Sequence, residues 1–156
     1  MSGTGRRRPY PSPGLAMWQP EQEEATALVR ELTRRAERLA RDVEEGIPGA
    51  APARDWSSEG LADRARMSRA LGTASRVTVQ VVRRALRLSD SRRLVPHLAL
   101  SRVLNRLGRG MAKLQERAVG GAWFRWFLEE AEGVINQAAS FYGVKPHHEG
   151  EGSPPG

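Results

Sequence analysis

Imidazole is scarce in this chain. Of three histidines, His147 and His148 sit in the stretch VKPHHEGEGSPPG, and only His97 lies inside a patterned segment. A histidine pair without a fixed scaffold makes a poor metal site, because a bound metal needs three or four donors held at about 2 Å. The carboxylates Glu44-Glu45 and Glu129-Glu130 are sequence neighbours. Neighbours on a helix project about 100° apart, which suits solvation and not the shared work of an acid and a base. There is no cysteine, so disulfides, thiolate metal sites and thiol nucleophiles are excluded. No glycine-rich phosphate loop follows a strand. By residue type, the expectation is a protein that is not an enzyme and takes no cofactor and no metal.

Cations are the larger resource. The 25 basic residues, 23 of them arginine, exceed 18 acidic ones and leave a formal charge of +7. Residues 61–111 hold twelve arginines against only Asp63 and Asp90. Arg69, Arg76, Arg83 and Arg87 follow one another at steps of 7, 7 and 4; Arg102, Arg106, Arg109, Lys113 and Arg117 at 4, 3, 4 and 4. Each set makes one stripe of a helix, and these residues are the candidate basic surface. Clustered cations suit nucleic-acid phosphates or an acidic protein. The solvated face of an amphipathic helix accounts for them as well, and the arginine excess over lysine is what GC-rich coding produces.

Two short stretches carry resemblances. Arg92 and His97 form an Arg-x4-His pattern that resembles the nuclease motif of HEPN-type helical domains. It implies nuclease chemistry at those two residues, although Pro96 stands against the helical placement that the motif needs. LSRVLNRLGRGM, residues 100–111, resembles a BH3 segment: Leu100, Leu104, Leu107 and Met111 are four apolar anchors, with Gly108 between the third and fourth. It implies insertion of this helix into a groove, but Arg109 stands where that family has its acidic residue. The same spacing serves an ordinary core.

Trp123, Phe124, Trp126 and Phe127 fall within five positions of a chain with nine aromatic residues. Helical spacing puts Phe124 and Phe127 inward with Leu128 and Ala131. It turns Trp126, about 200° round from Leu128, outward beside Glu129, Glu130 and Gly133. Trp126, with Trp123 and Arg125, is the candidate partner surface, because desolvating one tryptophan is worth a few kcal/mol. The neighbouring Glu129, Glu130 and Glu132 oppose anionic headgroups.

Four helices must position these groups. In the first, about residues 20–45, Val29, Leu32, Ala36, Leu39 and Val43 recur at steps of three and four. The second, about 57–89, opens on an N-cap at Ser57 with Trp56 and Leu61 placed as a hydrophobic staple. Its stripe runs Met67, Leu71, Ala74, Val77 or Thr78, Val81, Ala85 and Leu88; VTVQVV within it also fits a strand. Gly72, Thr73 and Ser75 mark a kink or a close helix crossing there. The third, about 96–119, is a heptad-like seam from Leu100 to Ala118. The short Gly120-Gly121 connection then predicts that the fourth, about 122–142, folds back on the third. Gly143 reads as a left-handed C-cap, with Val144 supplying the hydrophobic contact.

The fold expected is all-α, an antiparallel four-helix bundle-like domain over residues 20–143, with some stripes open to completion by a second chain. Residues 1–19 and 144–156 read as flexible tails, too poor in apolar groups to offset their ordering entropy. No apolar run approaches the roughly 20 residues that span a bilayer, and Arg6, Arg7 and Arg8 lead into no signal-like stretch. An intracellular location, cytoplasm or nucleus, follows. The expected function is a helical protein–protein interaction module, a small subunit or adaptor with a helical or acidic protein partner. Nucleic-acid binding through the arginine stripes is the alternative, and homo-oligomerisation is compatible with both.

Overall fold

A computed structural model describes residues 20–45, 56–88, 90–117 and 119–145. The expectations for most of the tails and for the linker at 46–55 lie outside these residues. The chain forms α1 (Pro20–Glu45), α2 (Ser58–Leu86), α3 (Ser91–Glu116) and α4 (Ala122–Phe141). VTVQVV is helical throughout, with Val77 and Val81 in the core.

Each predicted stripe faces the core, with Val43, Leu71, Leu88 and Phe141 half-buried at the margins, while Ala118 lies outside the described residues. Val29, Leu32 and Ala36 of α1, Met67, Val77 and Val81 of α2, Leu100, Leu104, Leu107 and Met111 of α3, and Phe124, Phe127, Leu128 and Ile135 of α4 share one core. The four would-be BH3 anchors are thus interior residues of this bundle. Full burial of one such side chain is worth about 1.5–3 kcal/mol, so these stripes dominate the fold.

The helix ends follow local chemistry. The Ser57 hydroxyl accepts from the Gly60 amide at 3.1 Å. Trp56 and Leu61 do not close a buried staple: both stay exposed, and the Arg64 guanidinium lies 4.6 Å from the Trp56 ring centre. Helix α3 starts earlier than Pro96 suggests, because the Asp90 carboxylate caps it by accepting from the Arg92 amide at 2.9 Å. Pro96, buried inside the helix, forfeits its own N–H bond to the preceding turn and crowds the Arg92 carbonyl there. At the end of α4, Gly143 takes φ +70° while the Val144 amide reaches the Ala139 carbonyl at 2.8 Å and the Gly143 amide that of Ser140. That is a Schellman cap, and Val144 packs on the core as its hydrophobic partner.

Consecutive helices alternate in direction, but the order around the core is α1, α3, α2, α4. Helices α1 and α3 are neighbours and run parallel, with Gln22 meeting Arg93 at one end and Glu44 meeting Arg106 towards the other. Helices α2 and α4 are likewise parallel, through Asp63 with Arg125 and Arg66 with Glu132. The fourth helix therefore does not lie against the third: it crosses the bundle diagonally to pack between α1 and α2. Diagonal axes in a bundle stand about 13 Å apart when neighbours are at 8–10 Å, and five extended residues reach about 16 Å. The connection through Gly121, at φ +101°, is long enough.

A close helix crossing lies between α1 and α3, at Gly110. A Cβ placed on Gly110 would stand 2.7 Å from Cγ1 of Val43, whereas at Gly108 it would meet nothing within 4 Å. Urea denaturation should separate the two. Gly108→Ala is expected to stabilise by about 0.5–1 kcal/mol through helix propensity, and Gly110→Ala to destabilise by about 1–2 kcal/mol through overpacking.

Candidate interaction surfaces

The aromatic cluster steps from core to surface. Phe127 is buried, Trp123 stacks on it with ring centres 5.3 Å apart and planes 13° from parallel, and Trp126 leans on Trp123 at 6.5 Å. Trp126 is 46% exposed, as its helical position requires. Arg125 turns inward to α2 instead: its Nη2 lies 2.7 Å from Glu59 and its Nε donates to Asp63 at 3.0 Å. Asp63 is buried, with Arg66 at 3.6 Å on its other oxygen, and Arg66 also pairs with Glu132. This chain of charges sets the register of α2 on α4, because a buried carboxylate stripped of its partners costs several kcal/mol.

The predicted basic surface divides in the same way. Arg106 is clamped by Glu44 and Glu37 of α1 at 2.6 and 3.1 Å, and it holds the Glu44 carboxyl below the usual carboxylate range. Arg106 is thus a register pin between α1 and α3, and Arg69 is also engaged locally. Arg76 and Arg83 on α2 with Arg87 at its C-cap, and Arg102, Arg109 and Lys113 on α3, are exposed. Among the described residues none of these six has a carboxylate within 4 Å. Sequence reading passed over α1, whose acidic residues mask Arg30, Arg34, Arg38 and Arg41. The fold brings that helix alongside α3.

A second seam on α2 also escapes a search for one stripe per helix. Leu61, Ala65, Ser68, Gly72, Ser75, Val79, Val82 and Leu86 follow at steps of 4-3-4-3-4-3-4. They form the outward face, opposite Met67, Ala70, Ala74, Val77 and Val81. Not one of the eight is charged. Leu61 is 51% exposed, Val79 47%, Val82 36% and Leu86 79%, while the middle positions are small. Arg76 lines one edge of the seam beside Gly143 and Val144 at the end of α4, and Arg83 and Arg87 follow it along that edge at helical steps of seven and four. The 4-3 spacing was the available signal, but it interleaves with the core stripe of the same helix.

Where α1 and α3 begin and α2 and α4 end, a cleft of about 170 Å³ is lined by Thr26, Arg84, Leu88, Arg93, His97 and Phe141 among others. Nδ1 of His97 is 2.7 Å from the Tyr142 hydroxyl. Burial, helped by the nearby Arg84 charge, pushes the imidazole below its ordinary pKa; burial also raises the Tyr142 hydroxyl well above its ordinary value. A neutral imidazole accepting from the phenol satisfies both groups. Arg92 lines a different groove, between α1 and α3, so the Arg-x4-His pair does not converge on one site.

No protein-family model, curated protein or solved structure matches this chain.

The His97 pocket makes stability depend on pH. A lowered pKa means that below about pH 6.5, the ordinary value, the unfolded chain takes up a proton that the folded one resists. Stability attributable to His97 is complete above that pH and is lost as pH falls. Chemical denaturation from pH 8 to 5.5 should show the wild type weakening more steeply than His97→Gln. Parallel curves would contradict the assignment.

Proposed function

We propose that this chain is a non-enzymatic helical interaction module, a small subunit or adaptor of a larger assembly, that holds a partner helix along the outward face of α2. The observation that carries this reading is the uncharged seam from Leu61 to Leu86. Four large aliphatic side chains standing in water over a helix of 29 residues are a standing cost, and covering them is worth a few kcal/mol in all. Ala65, Gly72 and Ser75 between them leave room for another helix to approach closely, while the Ser68 hydroxyl already accepts from Gln115 of α3 at 2.6 Å.

The edge of the seam says what kind of helix fits. Arg76, Arg83 and Arg87 favour a partner with carboxylates on the matching flank. A second copy of α2 is a poor occupant. An antiparallel two-fold would lay this arginine row against itself, and a parallel one would set it against Leu71 and Thr78. The carboxylates that α2 does have, Glu59 and Asp63, are committed to Arg125. Trp126, on a different face, offers a second contact to a partner large enough to reach it.

Affinity purification from nuclease-treated lysate, with wild type beside a Val79→Asp/Leu86→Asp double variant, tests the reading. Both substitutions fall on exposed positions, so each should change folding stability by no more than about 0.5 kcal/mol. The expected result is a stoichiometric protein partner held by the wild type and lost by the double variant at unchanged helical content. The same partners on both proteins, or none on either, would refute it.

A further inference from the structure

We infer that the face formed by α1 and α3, on a different side of the bundle from the α2 seam, binds the phosphodiester backbone of a double-stranded nucleic acid. The two helices lie side by side and parallel, so cations scattered over 80 residues of sequence become two rows flanking one groove. Arg30 and Arg38 stand on α1; Arg92, Arg102, Arg109 and Lys113 stand on α3. All six are exposed, and among the described residues none is paired with a carboxylate within 4 Å. Three acids of α1 are already occupied, since Glu31 holds Arg34 and Glu37 and Glu44 hold Arg106; Glu23, Glu24, Asp42 and Glu45 of the same helix stand beside the arginines. The surplus of cations is therefore carried by α3, where Arg92, Arg102, Arg109 and Lys113 reach solvent with Glu116 the one acid of the helix. At its Arg92 end the groove between the rows, lined by Arg30, Arg34 and Arg92 with Thr33, Val95 and Ala99, contains no carboxylate; further along, Glu37 and Glu44 lie between the rows and are held by Arg106.

Dimensions and composition narrow the ligand. From Arg92 to Lys113 a helix rises about 30 Å, close to the roughly 34 Å of one duplex turn. Neither α1 nor α3 carries a phenylalanine, tyrosine or tryptophan. Single-strand binders stack successive bases on such rings, and this face offers none. What it offers is regularly spaced guanidinium groups, which meet phosphate oxygens through charge-assisted hydrogen bonds and read no base. The inference is independent of the partner helix proposed for α2, since it uses other residues on another face.

Fluorescence anisotropy of the full-length protein with a 20-base-pair DNA duplex, the RNA duplex of the same sequence and the single strand tests it. Binding to at least one duplex should weaken with salt at a log–log slope of about −5, six neutralised phosphates at about 0.9 each. An Arg38→Glu/Arg102→Glu/Arg109→Glu variant should flatten the slope to about −2 or less and lower affinity at least 100-fold at 0.1 M salt, with its circular dichroism unchanged. Val79→Asp/Leu86→Asp should bind as the wild type does. Undiminished binding by the triple variant, tighter binding of the single strand, equal competition by polyglutamate of matched charge, or no duplex binding would each overturn the inference.

Discussion

Burying four apolar stripes in one core is the constraint from which the rest of this molecule follows. Surface ion pairs are worth at most about 1 kcal/mol each, far less than the aggregate burial of Leu32, Met67, Leu104, Phe124, Phe127 and their neighbours. The charges have a different task. Arg106 between Glu37 and Glu44, and Arg125 and Arg66 around Asp63, fix the sliding register that apolar contacts leave loose. The core brings helices together; the clamps say how far along they meet. Both clamps join parallel neighbours, α1 with α3 and α2 with α4. That order gives each helix two neighbours and leaves its opposite face to solvent.

What faces solvent is uneven, and the unevenness follows from the same order. Because α1 adjoins α3, their arginine rows run together, while the acidic turn of α4 lies away from them. Because α2 buries its Met67–Val81 stripe between α3 and α4, its second uncharged stripe points outward, with Leu61, Val79, Val82 and Leu86 exposed and Ser68 held by Gln115 of α3. The first is the face proposed for a polyanion, the second the face proposed for a helix. A subunit joining a protein partner to a nucleic acid would need both.

Much of the fold is legible from one-dimensional periodicity. The stripes from Val29 to Val43 and from Leu100 to Met111, the cap at Gly143 and the outward placement of Trp126 depend only on residues a turn or two apart. The early start of α3 is missed because a proline signals a first turn more loudly than Asp90 signals a cap. The diagonal passage of α4 is missed because a short connector fixes distance along the chain and not which neighbour is chosen. Sites suffer more. Arg125 and Arg106 look free by helical position, yet Asp63 and Glu44, far away in sequence, occupy them. The α1 arginines look neutralised by net charge until α3 is set beside them. The α2 seam is readable by spacing, but a helix with two stripes at 4-3 steps gives up only the one that completes the core.

The claim at the centre of this account is that the outward face of α2 is a docking surface. The chain has no cysteine of its own, so single cysteines report cleanly on it. Maleimide labelling rates at Val79→Cys and Val82→Cys should be compared with those at Ala27→Cys, an exposed site on α1, in the purified protein and in nuclease-treated extract. The account predicts rapid labelling at all three sites in the purified protein, and strong protection in extract at positions 79 and 82 only. Equal rates at all three sites in extract would contradict it.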